Sequence, residues 1–359
     1  MNGGKAVIGL LVAGLVLAAL GPMPALAPVG QALAQEEGAV PGGTLGSSST
    51  SEMWRAIRQG EAGRVAIPDE QAGVMIQSGG DNWRAIRNGP LSVYGAWALL
   101  GVIAVLALFF ALRGRIRIEH GRSGRLIERF NGIERFAHWL TAVTFVVLAL
   151  TGLNMLYGRY VLRPLIGPEA FSLLMIGGKW AHNYLAFGFM IGLTLILVLW
   201  IVQNLPNRHD LVWLAKGGGM FMKGVHPPAR KFNAGQKIIF WLVILGGISV
   251  SLSGIMLLWP FQIEAFGPTF AWINWLFGTD LPTQLAPIQE MQLAQLWHAV
   301  MGLFLTAVII AHIYIGTIGM EGAFDAMGSG QVDENWAREH HNLWVQDLER
   351  KGVVPGGDD

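Results

Sequence analysis

The sequence predicts an all-α integral membrane protein on three observations: a charge-poor composition, five long apolar runs, and positive charge confined to alternate connections. Hydrophobic residues make up 52% of the 359 and charged residues only 14%, against roughly 25% charged in a soluble domain. Mean hydropathy is +0.44. The net charge of +1 gives no reason to invoke nucleic acid, and the chain has no cysteine. That excludes disulfides, iron–sulfur ligation, Cys-type zinc sites and covalently attached c-type haem. Redox chemistry here requires non-covalent cofactors held by His, Met or carboxylate.

Residues 1–34 read as a cleavable signal peptide. Lys5 provides the positive start, Ala6–Leu20 the apolar stretch and Ala32-Leu33-Ala34 the cleavage string, so the mature chain is expected to begin at Gln35. The alternative is a sixth span. The stretch falls short of the roughly 20 residues a span needs, and Pro22, Pro24 and Pro28 follow at once. Residues 35–92 form a polar, Gly- and Ser-rich arm, expected to be periplasmic. It carries a short repeat, WRAIRQG at 54–60 and WRAIRNG at 83–89. The arm reads equally as a solvated linker or as a pair of Trp/Arg anchors for a partner subunit.

The apolar runs lie near 93–112, 136–157, 181–203, 238–259 and 293–318, each able to cross a hydrocarbon core about 30 Å thick. The first is an extra N-terminal transmembrane helix, followed by a basic cytoplasmic linker at 113–130. The other four fall within 131–318, and 319–359 form a cytoplasmic tail. Seven arginines, from Arg113 to Arg135, follow the first run. Arg208, Lys216, Lys223, Arg230, Lys231 and Lys237 follow the third against the single acid Asp210. After the fourth run come Glu264, Asp280 and Glu290 with no Lys or Arg. This is the positive-inside pattern for a multi-pass protein of a bacterial inner membrane with its mature N-terminus periplasmic. The connection at 158–180, with Arg159, Arg163 and Lys179, departs mildly from it.

His138, His182, His298 and His312 lie in or at the edge of these runs. A lone intramembrane histidine can be structural glue between helices. Spacing separates the readings. His298 and His312 are fourteen residues apart, so they share one helix face about 21 Å apart along the axis. Following the runs in alternating directions pairs His138 with His312 near the cytoplasm and His182 with His298 near the outside. Two stacked bis-imidazole sites suit two six-coordinate haems that relay electrons. Gly152, Gly302 and Gly316 lie at the same levels, where they admit a flat ligand or serve ordinary close helix packing. The other five histidines, at 120, 209, 226, 340 and 341, lie in polar connections.

The strings IERFAHW (133–139), KWAHNYLAFG (179–188), FNAGQK (232–237), QLWHAVMG (295–302), IIAHIYIG (309–316) and WAREHH (336–341) resemble the cytochrome b, or gamma, subunit of respiratory membrane-bound formate dehydrogenase. The similarity covers about residues 130–350. The resemblance implies a four-helix transmembrane bundle with two haems b, whose ligands fall on His138, His182, His298 and His312. It also implies partner subunits, an iron–sulfur beta subunit and a molybdenum- or tungsten-containing alpha subunit that oxidises formate. Electrons then leave to quinone near the cytoplasmic face. The family's quinone pocket includes Asn233 and Gly235, with Gln236 beside them. The same residues read independently as helix entry, with Asn233 an N-cap and Gln236 closing a capping box. The signal segment, arm and first span lie outside the resemblance.

Two other classes compete. The di-haem cytochrome b of a nickel–iron hydrogenase would share the bis-His logic. A proton-coupled transporter would need carboxylates beside the histidines, and the runs carry almost none.

Overall fold

In the computed structural model, residues 63–64, 74–76, 79–221 and 224–354 are described. The signal segment and the first WRAIR copy lie outside the described residues. Gly63–Arg64 (β1) pairs antiparallel with Val74–Ile76 (β2). The second WRAIR copy opens within Gly79–Ile86 (α1), and a π turn at Arg87–Leu91 carries the chain into Ser92–Arg113 (α2). α1 rests on the start of Pro287–Tyr314 (α8), so this end of the arm is seated on the protein.

Among the described residues, five helical segments are long and apolar enough to cross a membrane: Asn82–Arg113, Gly132–Val161, Arg163–Trp200, Ala234–Leu258 and Pro287–Gly319. They contain the five apolar runs almost entirely. We label Gly132–Val161 α3, Arg163–Trp200 α4 and Ala234–Leu258 α6. The short helix Arg208–Ala215 between α4 and α6 is α5. α3 packs along α4, α4 on α6, α6 on α8 and α8 on α3, while α2 lies on the outside of α8. Gly95 makes that last contact close, because a Cβ there would stand 2.6 Å from Leu303. The Tyr157 hydroxyl donates to the Ser92 carbonyl at 2.9 Å and ties α2 to the end of α3.

Most of the connection expected at 158–180 is helix. Gly167, at φ +80°, breaks the backbone ahead of Pro168, and α4 then runs unbroken to Trp200. Gly158 lets Phe171 approach to 3.0 Å of where its Cβ would be, so α3 and α4 stay in contact beyond their apolar runs. A further helix, Phe266–Phe277 (α7), lies in the connection after α6, where the charge pattern marks only a loop.

Three helices start at one end of the molecule on asparagine caps. Asn131, Asn207 and Asn233 each close a capping box, with Glu134, Asp210 and Gln236 respectively, satisfying N–H groups that a helix start leaves free. The C-terminal segment packs over this end, called here the tail end. Leu126–Glu128 (β3) pairs antiparallel with Gln331–Asp333 (β4), and Ile116 bridges Met320. Asp325–Gly328 (α9), Glu334–His340 (α10) and Asn342–Arg350 (α11) complete it. The basic linker is therefore half of a small sheet whose other half is the tail. Trp336, Val332, Val345 and Phe130 join Phe189, Ile196 and Ile244 of the long helices in one buried cluster.

Candidate functional site

Each histidine pair comes together. His138 on α3 and His312 on α8 face one another with ring centroids 6.2 Å apart and planes at 59°. His182 on α4 and His298 on α8 do so at 6.1 Å and 65°. The first pair lies toward the tail end and the second toward the far end, with about 21 Å of α8 between their levels.

The far-end pair is oriented by hydroxyls. Thr151 Oγ1 donates to the Val147 carbonyl at 2.7 Å, which leaves its lone pair to accept from His182 Nδ1 at 2.8 Å. Ser253 Oγ donates to the Val250 carbonyl at 2.9 Å and accepts from His298 Nδ1 at 3.1 Å. His298 Nδ1 also lies 3.0 Å from the Val250 carbonyl. Each Nδ1 carries the proton, so each Nε2 keeps a lone pair, the arrangement that makes an imidazole a metal ligand. Glycines next to both hydroxyls let the rings in: a Cβ at Gly152 would meet His182 at 3.5 Å, and one at Gly254 would meet His298 at 3.2 Å.

At the tail-end pair, His138 Nδ1 is buried with no hydrogen-bond partner among the described residues. Among the described residues, nothing beyond the local helix backbone lies within 4 Å of the position a Cβ would take at Gly302 of α8 or at Gly316 in the π turn, Ile315–Gly319, that follows it. Close helix packing therefore does not account for these two glycines.

Asn233, Gly235 and Gln236 open α6 at the tail end. Asn233 Oδ1 accepts from Gln236 N at 2.9 Å, and Gln236 Oε1 accepts from Asn233 N at 3.1 Å, which is the capping box read from the sequence. Gln236 Oε1 also accepts from Arg129 at 3.4 Å. Asn233 Nδ2 makes no hydrogen bond among the described residues. Space at Gly235 is taken by Trp213 of α5, whose ring edge lies 2.9 Å from where a Cβ would stand and 2.5 Å from the same position at Gly218. The indole is held between two glycines.

A family model described as prokaryotic cytochrome b561 matches residues 129–330, more than half of the chain. The chain belongs to the prokaryotic cytochrome b561 family. It is accordingly a multi-pass membrane protein that binds haem b. The chain is also similar to curated relatives. The nitrate-inducible formate dehydrogenase cytochrome b556(Fdn) subunit of Escherichia coli K12 is 23% identical over 230 residues, covering 63% of this chain and 93% of that protein. The cytochrome b556(fdo) subunit of formate dehydrogenase from the same strain is 24% identical, covering 62% and 94%. The formate dehydrogenase cytochrome b556 subunit of Haemophilus influenzae is 24% identical, covering 64% and 87%.

The paired rings fit the prosthetic group of a cytochrome b561. A metal–imidazole bond is about 2 Å long, so two rings bracketing one ion need centroids roughly 6 Å apart. Both pairs meet this. The donor set is neutral imidazole, an ordinary axial ligand of haem iron.

The sequence reading missed the hydroxyls. A signal was present in the repeated pairing of a hydroxyl residue with glycine, LTGLNMLY at 150–157 and LSGIMLLW at 252–259, one on each helix that orients a far-end histidine. Trp213 carried no comparable signal, because its role depends on two glycines that only the fold brings to it. His341 is buried and His340 half-buried, both against Trp336, with Trp344 also beside His341.

Proposed function

We propose that this cytochrome b561 is the membrane subunit of a formate dehydrogenase complex, moving electrons from a periplasmic iron–sulfur subunit to quinone near the cytoplasmic face. The observation that carries this reading is the pair of facing imidazole couples at two membrane levels, on helices whose sequence follows formate dehydrogenase cytochrome b subunits over nearly their whole length. Two haems b, when bound, supply one-electron relay between those levels. The residues form a di-haem four-helix bundle of α3, α4, α6 and α8. His138 and His312 hold the inner group and His182 and His298 the outer one. Thr151 and Ser253 fix the outer imidazoles in the ligating tautomer. Gly302 of α8 and Gly316 just beyond its end leave room for a flat ring.

The tail end faces the cytoplasm in this reading, since the basic connections at 113–135 and 204–237 lie there. Quinone binds beside Asn233, whose Nδ2 is free to donate to a quinone oxygen while Oδ1 caps α6. Gly235 and Trp213 form the adjoining wall. Formate oxidation belongs to a molybdenum- or tungsten-containing partner, because this Cys-free chain has no ligands for clusters of its own.

Carrying one charge through the membrane against 100 mV costs about 2.3 kcal/mol, which the drop from formate to quinone must exceed. Formate added to sealed, outside-out membranes is expected to reduce both haems and build a potential, positive outside, only with the partner subunits present. If hydrogen reduces the haems and formate does not, the donor is a hydrogenase, and the haem and fold assignments stand.

A further inference from the structure

Helix α7 is long enough for only about 18 Å, so it cannot cross a membrane, yet none of its twelve residues is charged. One face rests on the protein through Phe266, Gly267, Phe270 and Ile273. The opposite face is apolar and open: Trp272 is 69% exposed, Trp275 76% and Leu276 62%. The helix does not dangle. Glu290 of α8, itself 3% exposed, accepts the backbone N–H groups of Ala265, Phe266 and Gly267 at 3.1, 2.8 and 2.7 Å. A Cβ at Gly267 would stand 2.7 Å from the Thr283 carbonyl, so the helix start is clamped against its own connection. At the other end, Gly278 takes the left-handed cap, and Asn274 bonds Thr279 and Leu281. A clamped helix with a large unpaired aromatic face is built to present that face to something.

We propose that α7 lies in the plane of the far membrane–water interface and seats Trp272 and Trp275 among lipid headgroups, fixing the depth of the adjoining histidine pair. Continuity with the lipid-facing surface identifies the occupant. α6 exposes Leu245 and Leu252 along its length, passes the level of His298 at Gly254, and ends at Leu258 with Trp259 as its cap, seven residues before α7 begins. The chain thus emerges at interface depth and turns along it. Tryptophan prefers this zone, where its ring is apolar and its N–H meets water. α4 exposes Trp180 at the same end, two residues ahead of His182, and Trp259 is exposed where α6 ends, as a belt at one level requires. Interfacial helices ordinarily turn a charged face to water; here the second face rests on protein, which explains the missing charge. Acids lie just outside the helix, at Glu264 and Asp280, and remain on the water side. Glu290 precedes His298 by two helical turns on α8, so a helix held at the interface also holds that histidine at a fixed depth.

The absence of cysteine makes the test direct. The full chain carrying Trp275→Cys, and separately Trp272→Cys, is spin-labelled and placed in nanodiscs of phosphatidylcholine and phosphatidylglycerol. Collision with oxygen is compared with collision with a water-soluble nickel chelate. Asp280→Cys serves as the water reference and Leu252→Cys as the hydrocarbon reference. Labels at 272 and 275 are expected to collide with oxygen several-fold more, relative to nickel, than the label at 280, and less than the label at 252. A nickel response equal to that at 280 would place the helix in water and overturn the proposal. Shielding from both reagents would overturn it too, by showing that protein covers the face.

Discussion

Thr151 and Ser253 do the same work on different helices. Each hydroxyl gives its proton to a carbonyl of its own helix and turns its lone pair to a histidine Nδ1. Thr151→Val keeps the shape and removes that acceptor, so His182 is expected to hold its haem about 10–100-fold less tightly, the usual cost of losing such a partner. Ser253→Ala is expected to do less, because His298 keeps the Val250 carbonyl. Haem retention on dilution of the purified protein measures both, and equal losses would mean the hydroxyls do not act by orienting the rings. A second residue-scale outcome concerns Gly235. Its Cβ position is 2.9 Å from Trp213, so Gly235→Leu must drive the indole aside and fill the proposed quinone wall. Quinone reduction is expected to fall at least tenfold while both haems still become reduced; normal turnover would put the pocket elsewhere. The histidines were legible because a fourteen-residue spacing survives any detail of packing. Their partners were not, because hydrogen bonds between helices depend on rotation about each axis, which apolar runs leave undetermined.

At the scale of elements, the tail and the basic linker fold as one unit. β3 and β4 pair, and Arg129 lies 5.0 Å from the Trp336 ring, with Phe130 and Trp344 also against it. Its Nε and Nη1, without hydrogen-bond partners, meet aromatic faces instead. Beside it, burial pushes His340 down to about 4 and His341 well below the usual histidine range. Glu339 and Glu119 oppose the shift at His340, while His226 and Arg129 add to it. Both rings are neutral when the tail is docked and take up protons once it is released. Docking is therefore at full strength above about pH 6.5 and weakens as pH falls toward 4. Glu339 acts in the same direction: despite its burial, the backbone N–H groups of His120 and Glu119 hold it below the usual carboxylate range. Hydrogen exchange in 334–350, corrected for intrinsic rates, is expected to be faster at pH 5.5 than at pH 7.5, with His340→Phe flattening the dependence. Exchange independent of pH would contradict the neutral burial. Hydropathy located the spans because lipid sets their length. It passed over α7 and the first turns of α4, since an interfacial or protruding helix needs no twenty-residue run, and it left His340 and His341 among polar connections, because residue type alone does not show that Trp336 and Trp344 fold over them.

On the scale of the whole molecule, the proposed function places two haems at the two histidine couples stacked across one bundle. The family establishes haem b and the membrane; the number of haems and the pairing of ligands rest on the 6.1 and 6.2 Å couples. The proposed sidedness rests on the basic connections gathered at the tail end, a bias legible in residue type alone. The extra helix α2 packs on α8 and contributes none of the four paired histidines. The most direct test is haem content with low-temperature electron paramagnetic resonance on the purified wild type and the four single His→Ala variants. Two low-spin, non-covalent haems b per chain are predicted, with one signal lost in His138→Ala and His312→Ala and the other in His182→Ala and His298→Ala. A single haem, or the same signal lost in His138→Ala and His298→Ala, would contradict the account.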